Sequence, residues 1–238
     1  MRASEGFLLV WLLSLPPGCG ASPPPAEEPK AEVAAEREHH ASGPSVESEI
    51  GALDDTKVKQ TFEHVSGRLT GCFSQGAQRI AYLAGDVRFV VRVAKDGSAR
   101  WVYVKDSTLG DHETELCMVR ALQAASWPRP QGGEGLAENS FSFDPGGEER
   151  PPVAWSPEQL GAAQHKARSA LSQCKTRAGT RSLKATMYVE TDGKASAVGV
   201  ASGDEKGAAA ADCVVGALRG LKYPSPGSYA SKVSVSVE

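Results

Sequence analysis

From Thr56 onward the apolar side chains recur with two distinct periods. Val58, Phe62, Val65, Leu69 and Cys72 follow steps of 4, 3, 4 and 3, the stripe of a helix that faces a core. Val87, Phe89, Val91 and Val93 then alternate with Arg88, Val90, Arg92 and Ala94, the period of a strand. Lys95-Asp96-Gly97-Ser98 supplies a turn, and Asp-Gly is a preferred pair for a tight hairpin. Val102 and Val104 carry a second strand to about Asp106. Met118, Leu122 and Ala125 predict a helix over 116–125, ended by Trp127-Pro128-Arg129-Pro130 and Gly132-Gly133. Phe141 and Phe143 alternate on a third, short strand.

The same order then begins again. Ser156-Pro157-Glu158-Gln159 reads as a helix start, with Ser as N-cap and Gln three residues on. Leu160, Ala163, Ala167, Ala170 and Cys174 mark the apolar side of that helix. Met187 and Val189 fall on a strand, Asp192-Gly193 on a turn, and Val198 and Val200 on the return strand. Val214, Leu218 and Leu221 form a further helical stripe, closed by Tyr223-Pro224-Ser225-Pro226. Val233, Val235 and Val237 alternate at the end.

A shift of 96 residues superposes Asp96-Gly97 on Asp192-Gly193, Cys117 on Cys213, and Pro128 and Pro130 on Pro224 and Pro226. Over 93–130 that shift needs no gap and leaves 12 of 38 positions identical. Period and element order together mark an internal duplication. The fold class that follows is α+β: two tandem α-β-β-α-β units over 54–146 and 156–238, each with a small antiparallel sheet and two helices, joined by a linker at 147–155.

The duplication also bears on the cysteines. After Cys19, the chain holds Cys72, Cys117, Cys174 and Cys213, and four cysteines permit three connectivities. The closest spacing is 39 residues, too wide for the paired thiolates of a zinc site. Each unit carries one cysteine at the end of its first helix and one in its second. The pairing expected is therefore Cys72–Cys117 and Cys174–Cys213, which keeps each small unit self-contained.

The chain begins differently. Residues 7–15 (FLLVWLLSL) form an apolar run too short to span a bilayer, and it leads into Leu15-Pro16-Pro17-Gly18-Cys19. This resembles a bacterial lipoprotein signal over 1–18, with Cys19 as the lipid attachment point. Residues 19–53 are rich in Pro, Ala and Glu and poor in large apolar side chains, which reads as a disordered tether. The location expected is the periplasmic side of a bacterial membrane, the outer membrane being favoured. The formal net charge of −3 argues against a nucleic-acid partner.

With those residues laid out, each unit resembles the AgmX/PglI C-terminal domain, which is similar to the C-terminal domain of TonB-type energy transducers. The residues carrying the resemblance in the first unit are Cys72, Gly85-Asp86-Val87, Asp96-Gly97, Ser107-Thr108-Leu109-Gly110-Asp111, Cys117 and Trp127-Pro128-Arg129-Pro130. The second unit reads Gly203-Asp204-Glu205 where the first has Ser107-Thr108-Leu109. The resemblance covers roughly 50–238 and implies a TonB-like fold in an exported adaptor. Force transduction is not implied, because such transducers keep an uncleaved membrane helix where this chain has a cleavable-looking signal.

No catalytic constellation, metal site or cofactor motif emerges. The five histidines are scattered, and there is no G-x-S-x-G, P-loop or C-x-x-C. Asp111, Glu113 and Glu115 cluster at a helix start, where acidic residues complement the helix dipole. One surface stands out. With Val87, Val91, Val102 and Val104 facing the core, Arg88, Arg92, Trp101, Tyr103 and Lys105 face outward, and an aromatic–arginine cluster has the make-up of a binding hot spot. The competing reading, weighed slightly ahead, is that the linker 151–155 or the other unit covers it. The expected function is non-enzymatic: a lipid-anchored protein whose tandem modules bind another envelope protein. The alternatives are a structural spacer with its repeats packed together and, less favoured, a periplasmic enzyme.

Overall fold

The computed structural model describes residues 50–144, 147 and 149–238. The signal 1–18, the proposed lipidation site Cys19 and the tether as far as 49 lie outside the described residues. The first repeat runs α1 (Asp55–Arg79), β1 (Gly85–Val93), β2 (Ala99–Ser107), α2 (His112–Gln123) and β3 (Gly135–Phe143). A short β4 (Val153–Trp155) precedes the second repeat, α3 (Ala162–Ala178), β5 (Leu183–Val189), β6 (Ala195–Ser202), α4 (Ala211–Arg219) and β7 (Ser231–Val237). The class is α+β, with a three-stranded antiparallel sheet ordered β2-β1-β3 and a four-stranded mixed sheet ordered β4-β7-β5-β6.

Local chemistry sets the hairpin turns and helix closures, though not the helix starts, in the same way twice. In the first repeat Asp54 caps α1 through Lys57 N at 3.1 Å and Asp111 caps α2 through Thr114 N at 3.2 Å, whereas α3 and α4 start without a side-chain cap. Gly97 and Gly193 take φ of 87° and 74° in the two hairpin turns. A side chain at either would run into the carbonyl of Trp127 or Tyr223, whose own N–H groups donate back to Gly97 and Gly193. The aromatic before each Pro-x-Pro also closes the preceding helix. Trp127 Nε1 donates to Leu122 O at 3.2 Å, and Tyr223 Oη donates to Leu218 O at 2.7 Å.

Both disulfides form as the duplication predicts: Cys72–Cys117 joins α1 to α2 and Cys174–Cys213 joins α3 to α4. Cross-links of this kind belong to an oxidising compartment outside the cytoplasm. Among the described residues no helix is long and apolar enough to cross a membrane.

Several expectations need correction. The segment after Ser156 is a 3-10 turn (Pro157–Leu160), and the α-helix starts only at Ala162, after Gly161 at φ 54°. The capping box is nevertheless present, with Gln159 Oε1 accepting from Ser156 N at 2.8 Å. The third strand is nine residues rather than short. The linker is not inert: Val153–Trp155 pairs in parallel with β7, so the second sheet is mixed, not purely antiparallel. Ile50 and Ala52, placed in the tether, bridge to Glu134 and Gln131, and Leu53 packs on Gly135. The repeats also pack on each other: the described residues from 50 onward fall in one compact unit, and Tyr188, Ala197 and Ala201 of the second repeat are buried in the apolar cluster of the first.

Candidate binding face and the joint between the repeats

The outward face of the first sheet gathers four of the five residues the pattern singles out. Arg92 stands opposite Trp101 and Val90 opposite Tyr103 on β1 and β2, while β3 places Leu136 and Glu138 opposite Arg92 and Val90. A register shift between Arg88 and Phe89 leaves Lys105 at an irregularity, from which its Nζ reaches Glu138 at 2.7 Å. Arg88 meets the same carboxylate at 3.4 Å, and Arg92 meets Glu134 at 2.8 Å. Arg100 also pairs with Glu134, and the two guanidinium groups hold that carboxyl below its ordinary range. The Trp101 and Tyr103 rings lie 5.5 Å apart.

Tyr103 departs from expectation: it is buried, whereas Trp101 is half-buried and Leu136 is 45% exposed. The linker does not cover this face, because it extends the second sheet instead. Tyr103 is covered by the second repeat, on the turn Glu205–Ala210 that packs against β2. Glu134 and Glu138 escaped the pattern because the apolar alternation on β3 is weak before Phe141: Ala137 faces inward and Leu136 outward.

The face of the second repeat that corresponds to this one is closed by the first. Tyr188, Ala197 and Ala201 are buried within the apolar cluster of repeat one. The Tyr188 hydroxyl donates to Leu109 O at 2.9 Å and meets Ala84 O at 3.2 Å and Ala84 N at 3.3 Å. Thr186 Oγ1 donates to Ser107 O at 3.1 Å, and Lys184 pairs with Asp106 at 2.8 Å. Lys232 donates to Ala84 O at 2.6 Å over the Tyr188 ring, and Tyr82 is bonded to Glu190. The motif Ser107–Asp111, which the second repeat lacks, is thus the first repeat's half of this joint.

Glu115 lies at its centre. Its carboxylate accepts from Ser107 Oγ at 2.6 Å and, across the joint, from Val200 N on β6 at 2.9 Å. Burial pushes its pKa up to about 7, against the pull of those two donors, and the charge of Asp111 adds to the rise. The dipole reading fits the exposed Glu113 but not Glu115, which is 1% exposed. Beside it, a cavity of about 160 Å³ is lined from both repeats, by Val104, His112 and Leu116 on one side and Val200, Ala208 and Ala211 on the other. Among the described residues no His, Cys, Asp or Glu cluster could hold a metal ion.

Comparison with known protein families, curated proteins and solved structures found no match to this chain.

Proposed function

We propose that the chain is a non-enzymatic, lipid-anchored protein of the bacterial envelope, held to the membrane through Cys19, whose first repeat binds another envelope protein. One observation carries the reading. Of two equivalent sheet faces, that of repeat two is sealed by repeat one, while that of repeat one keeps Trp101 half-buried and Leu136 exposed, with Arg88, Lys105 and Glu138 beside them. Aromatic and arginine side chains ringed by charge are the usual composition of a hot spot. The two disulfides support an exported location.

Among the described residues no strand pairs with the outer edge of β3, and this supports recruitment of a partner strand. In repeat two the matching edge of β7 is closed by β4, an extended segment added in parallel. In repeat one the matching edge carries only the bridges at Glu134 and Gln131 among the described residues. Backbone bonding along such an edge gives affinity, with side-chain pockets adding specificity. The resemblance to the AgmX/PglI C-terminal domain accords with this adaptor role. A spacer role is favoured by the packing of the repeats on each other, and one experiment separates the two.

Envelope membranes are cross-linked with the wild-type protein and with Trp101→Ala. The binding reading expects a captured partner whose affinity falls by about 2 kcal/mol or more in the variant, with the melting temperature little changed. Equal capture by both proteins, or no specific partner with either, refutes it. A Cys19→Ala protein that stays membrane-bound at mature size refutes the anchor.

A further inference from the structure

We propose that the joint between the repeats is a pH-responsive clasp centred on Glu115, tight in mild acid and loosest near neutrality. The carboxyl of Glu115 enters the joint where Gly199 has no side chain, and it bonds groups on both repeats, the Ser107 hydroxyl and the Val200 amide. A Cβ at Gly199 would collide with it and would lie 2.8 Å from Gly110 Cα. Among the described residues the donors to this carboxylate are neutral, the Ser107 hydroxyl and the amides of Val200 and Gly110, and no cation is bonded to it. Those donors favour the anion, but the complete burial of the group outweighs them, so the closed joint favours the protonated acid more than water does.

Of the groups facing the clasp, His112 alone opposes this in acid. Asp111 on α2 is paired with Arg79 of α1 at 2.6 Å, and His112 lies 3.9 Å from Asp212 of α4. Burial holds the His112 pKa below its ordinary value, so its own contribution is present above about 6.5 and is lost as pH falls through the lowered value, the opposite sense to Glu115. From β5 come Tyr188, which titrates far above this range, and Lys184, already paired with Asp106 of β2. Tyr103 of β2 is raised mainly by burial, with Arg181, Asp204 and Glu205 of repeat two around it. Strand β6 carries no titratable side chain. Lys232 of β7 is the remaining partner, brought down to about 8 by burial and opposed by Asp86 and Glu115.

The signs follow by linkage. Glu115 in the closed joint has a pKa raised above the ordinary value of about 4.5 for a glutamate in water, so its contribution is full below about 4.5 and is lost as pH rises through about 7. Lys232 has a lowered pKa, so closure regains strength only as pH rises from about 8 toward 10.5. Between these limits both buried groups are charged and the clasp is weakest.

The test uses the whole chain. Carbon-13 NMR of Glu115 gives its midpoint directly, and amide exchange at Val200, corrected for intrinsic rates, gives the opening of the joint. A midpoint near 7 is expected, with Val200 protection falling on the order of tenfold or more between pH 5 and 7, at most tenfold per unit for one proton. Phe89 and Val91 in the middle of β1 should keep theirs. Glu115→Gln, which remains neutral, should abolish the fall in Val200 protection over that interval and leave only the opposite, weaker slope that His112 supplies. A Glu115 midpoint below 5, a flat wild-type profile, an unchanged slope in Glu115→Gln, or an equal loss at Phe89 would overturn the proposal. The wild-type midpoint decides the matter even if the variant does not fold.

Discussion

Gly199 holds in repeat two the place that Tyr103 holds in repeat one: Gly199 pairs with Thr186 as Tyr103 pairs with Val90, 96 residues earlier. The exchange of a phenol for a hydrogen atom separates the two sheet faces. Where the side chain is missing, Gly110, Asp111 and Glu115 of the other repeat move in. Where it is present, it fills space beside the small residues Gly207, Ala208 and Ala211.

Gly199→Ala should therefore destabilise the protein by more than an ordinary surface change. Its methyl would meet backbone at Gly110 and Asp111, which cannot rotate away as a flexible side chain could. Overpacking of this kind costs about 1–3 kcal/mol. Urea unfolding of both proteins measures it, and a variant as stable as the wild type would contradict the joint as described.

Tyr188→Phe keeps the ring and removes the hydroxyl that serves Leu109 and Ala84. Buried backbone groups lose a partner, at a cost of about 1–3 kcal/mol. The same change at Tyr229, whose hydroxyl bonds Arg150 O near the surface, should cost less. Thermal melts of the two variants side by side give the comparison.

The repeated helix closure makes a matched pair. Tyr223→Phe deletes only the bond to Leu218 O, about 1 kcal/mol. Trp127→Phe deletes the bond to Leu122 O and also leaves a space among Phe62 and its neighbours, so it should cost more. Equal losses would mean that the two closures do not differ in packing.

Replacing both cysteines of either disulfide by Ala should lower stability by about 2–4 kcal/mol, with similar effects because the loops span 45 and 39 residues. Non-reducing peptide mapping should return Cys72 with Cys117 and Cys174 with Cys213. A Cys72–Cys174 link would be incompatible with the packing of α1 on α2.

How much was legible in advance depended on where each partner residue lay. Asp96-Gly97 and Asp192-Gly193, the cysteine pairs and the apolar stripes are local signals repeated at a fixed interval, and the duplication made each copy a check on the other. Strand β4 carried no such signal, since three residues after Pro151-Pro152 show no alternation and owe their conformation to β7. Glu115 looked like an ordinary acid in a first helical turn, because nothing near it in sequence announces that Val200 and Gly199 will enclose it. The small residues Ala197 and Gly199, standing where the first copy has Trp101 and Tyr103, were the available sign that one face would be covered.

The reciprocal packing of the joint has a consequence for how such a chain could arise. Strand β2 packs on β6, α2 on β6, and in return β2 on the turn that stands where α2 begins, which is the arrangement of an approximate two-fold axis. Two identical units meeting about such an axis must make every contact twice, one residue of the first on another of the second and the reverse. Joining them in one chain lifts that restriction and replaces association between molecules by a fixed, high effective concentration. Each side could then change alone: Glu115 faces Val200 while its symmetry counterpart is Ala211, and Tyr103 is matched by Gly199. One acid in the joint in place of two avoids like charges meeting in a buried space, an asymmetry that a pair of separate identical subunits could not have acquired.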